Sequence, residues 1–343
     1  MRTRHSRPPD RRPAVAAAAA ALGLAVILNG TVVATPPGTN GRIVFMRFDE
    51  AGGHWQTWTA NPDLGHQRLI TAGAFDNAFA TWAPDGRRLV FESNRNDPDQ
   101  VADPFINDVF TMDADGTHQV QLTDSVGFSG EPAWSPDGRL IAFSADRGVG
   151  RQEIYVMNVD GSGRRRISTL LDPDGWHGSA RFSPDGRKLV YTGIQKGGAS
   201  SALFTINLDG TGLRQVTPWG AGPGDADWSP DGRRLVFETL FQHPGNGPSV
   251  SVVDADGKHL LDLTHDDGLT GRGSERAVRF EASFDPAWSP DGTKILFSHE
   301  HFDPATGYAC GLGIMAADGT ANHRVSADDT CEHQVDWGTA PLE

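Results

Sequence analysis

Five copies of an aromatic-small-Pro-Asp-Gly pentad, each followed by a short apolar run, limit what this chain can fold into more than any other feature. They are Trp82-Ala-Pro-Asp-Gly86, Trp134-Ser-Pro-Asp-Gly138, Phe182-Ser-Pro-Asp-Gly186, Trp228-Ser-Pro-Asp-Gly232 and Trp288-Ser-Pro-Asp-Gly292. The aromatic positions lie 52, 48, 46 and 60 residues apart, and a partial sixth copy, Asp336-Trp337-Gly338, follows 49 residues after Trp288. A period of this size indicates stacked supersecondary units, each burying its apolar face only against its neighbours. Within the pentad, proline presets φ for a turn, aspartate tolerates the bridge region and glycine supplies φ > 0, which predicts a three-residue hairpin loop with a bulge. The runs Arg88-Leu-Val-Phe91, Leu140-Ile-Ala-Phe143, Lys188-Leu-Val-Tyr191, Arg234-Leu-Val-Phe237 and Lys294-Ile-Leu-Phe297 are then the outgoing strands.

About 20 residues later a second element recurs: a β-branched or aromatic pair, Asn or Asp, an Asp-Gly turn, then an aliphatic residue followed by Thr or Ser. Ile154-Tyr-Val-Met-Asn-Val-Asp-Gly161 with Ile167-Ser168 and Leu203-Phe-Thr-Ile-Asn-Leu-Asp-Gly210 with Val216-Thr217 are clear copies. Each repeat is therefore two hairpins, the size of one propeller blade. At the ends, the strand around Trp337 has no partner after it, and Gly41-Arg-Ile-Val-Phe45 matches the strand that normally follows Pro-Asp-Gly. The expected fold is all-β: a six-bladed β-propeller of four-stranded blades, spanning 41–343, closed by N-terminal strands pairing with the C-terminal strand. Closure of this kind removes open sheet edges.

The Trp-Ser-Pro-Asp-Gly pentad together with the Ile-Tyr-Val-Met-Asn-x-Asp-Gly element resembles the TolB-type propeller repeat, over roughly residues 41–340. The resemblance implies the propeller. It does not imply one activity, since such blades occur in periplasmic binding proteins, in sugar lyases and in the propeller halves of serine peptidases. TolB itself carries an α/β domain ahead of its propeller, for which this sequence offers no residues, so a TolB-like propeller is expected rather than TolB.

Ahead of the repeats, Arg2, Arg4, Arg7, Arg11 and Arg12 form a basic segment, residues 14–28 are apolar, and Val32-Val33-Ala34 offers a small-residue cleavage site. This reads as a signal peptide over 1–34 and a short linker over 35–40, placing the protein in the periplasm, cell envelope or medium. Retention as a membrane anchor is the alternative, although the apolar run is short for a span. The whole chain has a formal net charge of −14, which argues against nucleic acid or an anionic membrane face as partner. The only two cysteines, Cys310 and Cys331, sit in the last repeat and suit a disulfide in an oxidising compartment.

The Pro-Asp-Gly and Asn-x-Asp-Gly turns should share one face of the disc, leaving the variable loops 93–107, 239–248, 264–284 and 298–311 on the other, where binding is expected. Three residues before each repeat aromatic come Phe79, Glu131, Ser179, Asp225, Asp285 and Gln334. These positions enter the inner strands, so Glu131, Asp225 and Asp285 are candidates for a convergent acidic funnel, with His177 and His333 nearby. Two uses are open for the carboxylates: a ligand site for a cation, amine or sugar hydroxyls, or hydrogen bonds to local backbone and to the neighbouring blade. His299-Glu300-His301 with Asp303 lies in a long loop of the same face. TolB-like lyases hold a funnel metal largely through histidine, but the spacing here matches no compact metal motif. Asp113-Ala-Asp115-Gly116 and Asp254-Ala-Asp256-Gly257 echo a calcium loop yet lack its downstream glutamate, and read as turns.

No catalytic or metal-ligating constellation and no cofactor is recognisable. The favoured reading is a monomeric binding or scaffold propeller that recognises a protein, peptide or glycan on its variable-loop face. The alternative is a funnel-site lyase or hydrolase acting on a saccharide with a divalent cation.

Overall fold

In a computed structural model of the chain, the described residues are 38–342 except 97–105, 125–126, 147–150, 169–174, 199, 240–247, 265–279, 304, 306 and 327–329. The signal-peptide reading of 1–34 and the first half of the linker, 35–37, lie outside them. Each repeat forms one four-stranded antiparallel sheet, and six such sheets make the blades. The inner strands of blades 1 to 6 are Asn77–Trp82, Ser129–Trp134, Trp176–Phe182, Pro223–Trp228, Phe280–Trp288 and Glu332–Trp337. Each inner strand touches the next, and the sixth touches the first, so the ring closes. Among the described residues, helix is confined to a 3-10 turn at Lys196–Gly198.

Blade 6 closes the ring in the way its end strands predict. Strand Ile43–Asp49 pairs with Glu332–Trp337 on one side, with Ile43 opposite Trp337 and Arg47 opposite Glu332, and with His54–Ala60 on the other. The N–H of Gly41 donates to Gly338 O and that of Arg42 to Ala340 O, which extends the seam beyond the strands.

The pentad turn closes on four residues rather than three. In blade 2 the Ser135 N–H donates to Leu140 O, leaving residues 136–139 in the loop. The reason lies in the small residue of the motif. Ser135 Oγ donates to Asp137 Oδ1 (2.6 Å) and accepts the Leu140 N–H (2.9 Å), while Asp137 Oδ1 accepts the Arg139 N–H (3.1 Å). Gly138, at φ 69°, takes the left-handed position in which a Cβ is strained. Ser183, Ser229 and Ser289 repeat the hydroxyl bonds. The Thr or Ser after the second turn acts in a comparable way, since Thr123, Ser168, Thr217 and Thr264 each accept an N–H of the third strand through the hydroxyl. The calcium-loop echo at Asp113–Gly116 is a turn, with Gly116 N–H donating to Asp113 O and Asp115 Oδ1 accepting the Thr117 N–H.

The core is distributed between blades. Trp134 packs with Val90, Val109 and Leu122 of blade 1 and with Ile141 and Phe143 of its own blade. Trp82, Phe182, Trp228, Trp288 and Trp337 occupy equivalent places in five further clusters. The repeat aromatic is thus the wedge between neighbouring sheets, and the repeat spacing is the spacing of wedges.

Candidate functional site

Every inner strand carries a bulge just before its aromatic, between residues 78 and 81 in blade 1 and at matching positions in the other five. A bulge interrupts the ladder and re-aims side chains. Phe79, Glu131, Ser179, Asp285 and Gln334 occupy it with φ between 52° and 59°. The six positions found by counting back from the aromatics are therefore structurally equivalent, apart from the backbone sign at Asp225.

Two of these carboxylates, those of Glu131 and Asp285, hold one blade to the next. Glu131 Oε2 in blade 2 accepts the Ser179 N–H of blade 3 at 2.8 Å and the Ser144 hydroxyl. Asp285 Oδ2 in blade 5 accepts the Gln334 N–H of blade 6 at 3.0 Å and the Ser298 hydroxyl at 3.2 Å, and Oδ1 accepts from Gln334 Nε2. Two further glutamates, one residue after the outgoing strand's aromatic, act alike. Glu92 Oε2 takes the Glu131 N–H at 2.7 Å, and Glu238 Oε2 takes the Asp285 N–H at 3.1 Å. A second tier lies one residue before the wedge. Asp336 Oδ2 accepts the Trp82 N–H at 2.8 Å, and Asp227 Oδ2 accepts the Trp288 N–H at 2.9 Å. Gly130 makes room for the first tier, since a Cβ there would collide with Glu92 Oε2.

Sequence reasoning missed Glu92, Glu238, Asp227 and Asp336. The signal was present in the dipeptides Phe91-Glu92, Phe237-Glu238, Asp227-Trp228 and Asp336-Trp337, which place an acid at a fixed offset within the repeat. Arg181, at the offset of Asp227, was missed too. It is fully buried, and the carboxylates of Asp225, Asp227, Asp336 and Glu131 partly offset the burial that lowers its pKa to about 10.

Burial dominates the titration of this core. It pushes Glu92 up to about 8 and Glu131, Asp285 and Asp336 up to about 7, against the backbone N–H groups that favour the ionised form. Asp225 is raised by burial and then by Glu238 and Asp285. Carboxylate oxygens of Asp225, Glu238 and Asp285 come within 4.8 Å of one another, and Asp225 Oδ2 is buried with no hydrogen-bond partner among the described residues. Three such groups cannot all carry full charge in a dry interior, so they share protons or meet a cation.

The two candidate histidines turn elsewhere. His177 Nδ1 lies 3.5 Å from Glu153 Oε2 of blade 2, and its ring centroid is 5.1 Å from Tyr191. His333 stacks on Phe284 at 5.6 Å, meets Trp55 edge-on at 5.4 Å, and has Nε2 3.9 Å from Glu300 Oε1. Burial lowers His333 to about 4.

On the variable-loop face, much of 93–107, 239–248 and 264–284 lies outside the described residues. The segment 298–311 is not a loop. Strands Lys294–Asp303 and Gly307–Ala316 continue as a raised hairpin, with Phe302 opposite Tyr308, and strand Phe280–Trp288 accompanies them. Alternation holds to the tip, so His299 and His301 point to one side and Glu300 and Phe302 to the other. His299, near the Ser283 hydroxyl at 3.3 Å, is lowered to about 4 by burial first and then by Arg324 and His301. Cys310 stands within the hairpin, not in a loop before it, and is disulfide-bonded to Cys331 with Cα atoms 4.8 Å apart. The bridge ties blade 5 to the segment entering the last inner strand.

These features define a six-bladed β-propeller whose blades are joined through buried carboxylates. The comparisons carry the assignment one step further. Residues 106–271 match the family model of the TolB beta propeller domain. An uncharacterized protein of Agrobacterium fabrum is 29% identical over 234 residues, covering 68% of this chain and 58% of that one. The Tol-Pal system protein TolB of Gluconobacter oxydans is 37% identical over 95 residues, covering 26% of this chain and 20% of TolB. The crystal structure of TolB from Acinetobacter baumannii superposes with a TM-score of 0.67 at 19% identity, covering 87% of this chain and 66% of the other. The chain is a TolB-like β-propeller. It spans less than two thirds of the length of these curated relatives.

Proposed function

We propose that this protein is an exported binding or scaffold propeller that recognises a protein, peptide or glycan on its variable-loop face. The observation that carries this reading is the division of labour between core and rim. Glu131 and Asp285, two of the three acids a funnel enzyme would use, have their carboxylates occupied by N–H groups of the next blade. The loop face instead presents exposed aromatic side chains on a raised, disulfide-anchored hairpin, with Phe302 40% and Tyr308 55% exposed. Rigid scaffolds commonly carry binding surfaces in this way. Export through the N-terminal segment accords with the disulfide, which persists in oxidising compartments. A metal-assisted lyase or hydrolase needs ionised, ligand-facing carboxylates, a condition that blade-joining acids meet poorly.

Site-specific photo-crosslinking checks which face binds. A benzophenone side chain at position 302 should give discrete adducts in whole cells, and one at position 231 in the Ser-Pro-Asp-Gly turn should give none. Adducts from 231 alone, or from neither position, would refute the loop-face reading.

A further inference from the structure

Each blade has two places from which a side chain can fasten the next blade: the bulge of the inner strand, and the residue after the aromatic of the outgoing strand. In blades 1, 2 and 5 one of the two is an acid, with Glu92 partnered by Phe79, Glu131 by Ser144 and Asp285 by Ser298. Blade 4 carries an acid at both, Asp225 on strand Pro223–Trp228 and Glu238 on strand Arg234–Thr239. One of them is surplus. The N–H that Asp225 would fasten, by analogy with Glu131, is that of Asp285, and it already donates to Glu238 Oε2 at 3.1 Å.

Asp225 is 2% exposed and receives the Ser179 hydroxyl, yet its Oδ2 has no hydrogen-bond partner among the described residues. Arg181 does not cap it. That guanidinium donates from Nη1 to Ala180 O at 2.7 Å, and its Nε and Nη2 make no hydrogen bond among the described residues. What Asp225 does meet is two more carboxylates. One oxygen each of Asp225, Glu238 and Asp285 lie within 4.8 Å of one another. Gly224 opens the space, since a Cβ there would collide with Glu238 Oε1, the oxygen not used by the Asp285 N–H.

A carboxylate oxygen left unpaired in a dry interior is costly, and two facing acids raise the cost. Burial, and then the neighbouring acids, hold Asp225 and Glu238 well above the usual carboxylate range when no counter-ion is present. A divalent cation relieves both. Three carboxylates with no nitrogen or sulfur donor favour a hard ion. Calcium binds such oxygens at about 2.3–2.6 Å, so opposed ligands stand up to roughly 5 Å apart, whereas magnesium at about 2.0–2.1 Å would need them within roughly 4.2 Å. A spread of up to 4.8 Å suits the larger ion.

We propose that Asp225, Glu238 and Asp285 form a calcium site buried between blades 4 and 5, in which the ion joins the surplus acid of blade 4 to the bulge of blade 5. The three side chains are at most 3% exposed, so the ion is structural and does not meet a substrate. Without it, the three acids share protons. The ligands stand on inner and outgoing strands rather than on the rim, so the proposal stands or falls independently of binding on the loop face.

The test is refolding of the full exported protein from urea and EGTA into either calcium or EGTA, so that the ion need not cross a closed ring. Metal analysis after gel filtration should find a single calcium ion per chain. The melting temperature should rise by several degrees over the EGTA sample, because a ligand bound only by the native state stabilises it. Half-saturation should fall at or below about 1 mM, the range of extracellular calcium modules. Magnesium at the same concentration should raise the melting temperature less than half as far. D225N removes a ligand charge but no blade-to-blade bond, and E238Q keeps an oxygen for the Asp285 N–H. Both should melt within a few degrees of the parent in EGTA and lose the calcium-dependent rise. D256N, in the exposed calcium-loop echo of the same blade, should keep it. No bound calcium and no rise, an equal rise with magnesium, or a rise retained in either D225N or E238Q overturns the proposal. Loss of the rise in D256N overturns it too, by placing the ion on the surface turn.

Discussion

At the scale of single residues, the buried acids near the axis form a proton-linked fastening system. Glu92, Glu131, Asp285 and Asp336 have pKa values in the folded protein, about 7 to 8, above the values near 4 expected when unfolded. Their protonation therefore contributes stability that is fully present below about pH 4 and lost as pH rises through 7 to 8. The turn aspartates Asp137, Asp185, Asp231 and Asp291 run the other way. Serine hydroxyls and following N–H groups hold them low, so their contribution is lost as pH falls through the acid range. The melting temperature should peak near pH 4 and fall steadily up to about pH 8. A profile flat or rising from pH 6 to 9 would mean the inner acids are ionised and charge-compensated in the native ring. The offsets of Glu131, Asp225 and Asp285 were legible in the sequence because the repeat marks them. The sequence left two uses open, a ligand site or bonds to local backbone and the neighbouring blade, because a bond to the next blade depends on ring curvature and on the bulge, neither of which a single repeat encodes.

At the scale of elements, the pentad is a self-satisfying hairpin, and its serine is as informative as its proline. Ser229 Oγ donates to Asp231 at 2.6 Å and accepts the Arg234 N–H at 2.9 Å. S229A should lower stability by about 1 kcal/mol in urea unfolding, the usual net value of such bonds. No change would indicate that water replaces both bonds. The strands after each pentad were readable from their β-branched and aromatic runs. Residues 298–311 read as a loop in sequence because His299-Glu300-His301 interrupts the apolar run, and cross-strand pairing with 307–311 outweighs that local polarity. The extension matters for function, since it carries Phe302 and Tyr308 above the disc.

At the scale of the whole molecule, stability depends on closing the ring. The sixth blade joins strands some 290 residues apart in sequence, Ile43 opposite Trp337, and the disulfide braces the blade next to that seam. The chain-entropy model gives a loop of this length about 3 kcal/mol. C310S/C331S should therefore unfold at distinctly lower urea and expose the N-terminal strand to protease first. Even digestion across all blades would place the weakest point elsewhere. The closure was legible because the N-terminal strand repeats the pattern that follows Pro-Asp-Gly. Which surface the finished ring offers to a partner was not, because it emerges only where two blades, far apart in sequence, face each other.

Acids that hold the blades together are thus distinct from the rim that binds. The most direct measurement of that division takes E131A and D285A, each assayed for urea-unfolding stability and for partner adducts from a benzophenone at position 302. Each variant leaves a buried N–H without its acceptor and should lose about 1–3 kcal/mol of stability, with the adduct yield of the parent retained. Unchanged stability together with lost binding would contradict the division and return the ligand site to the funnel.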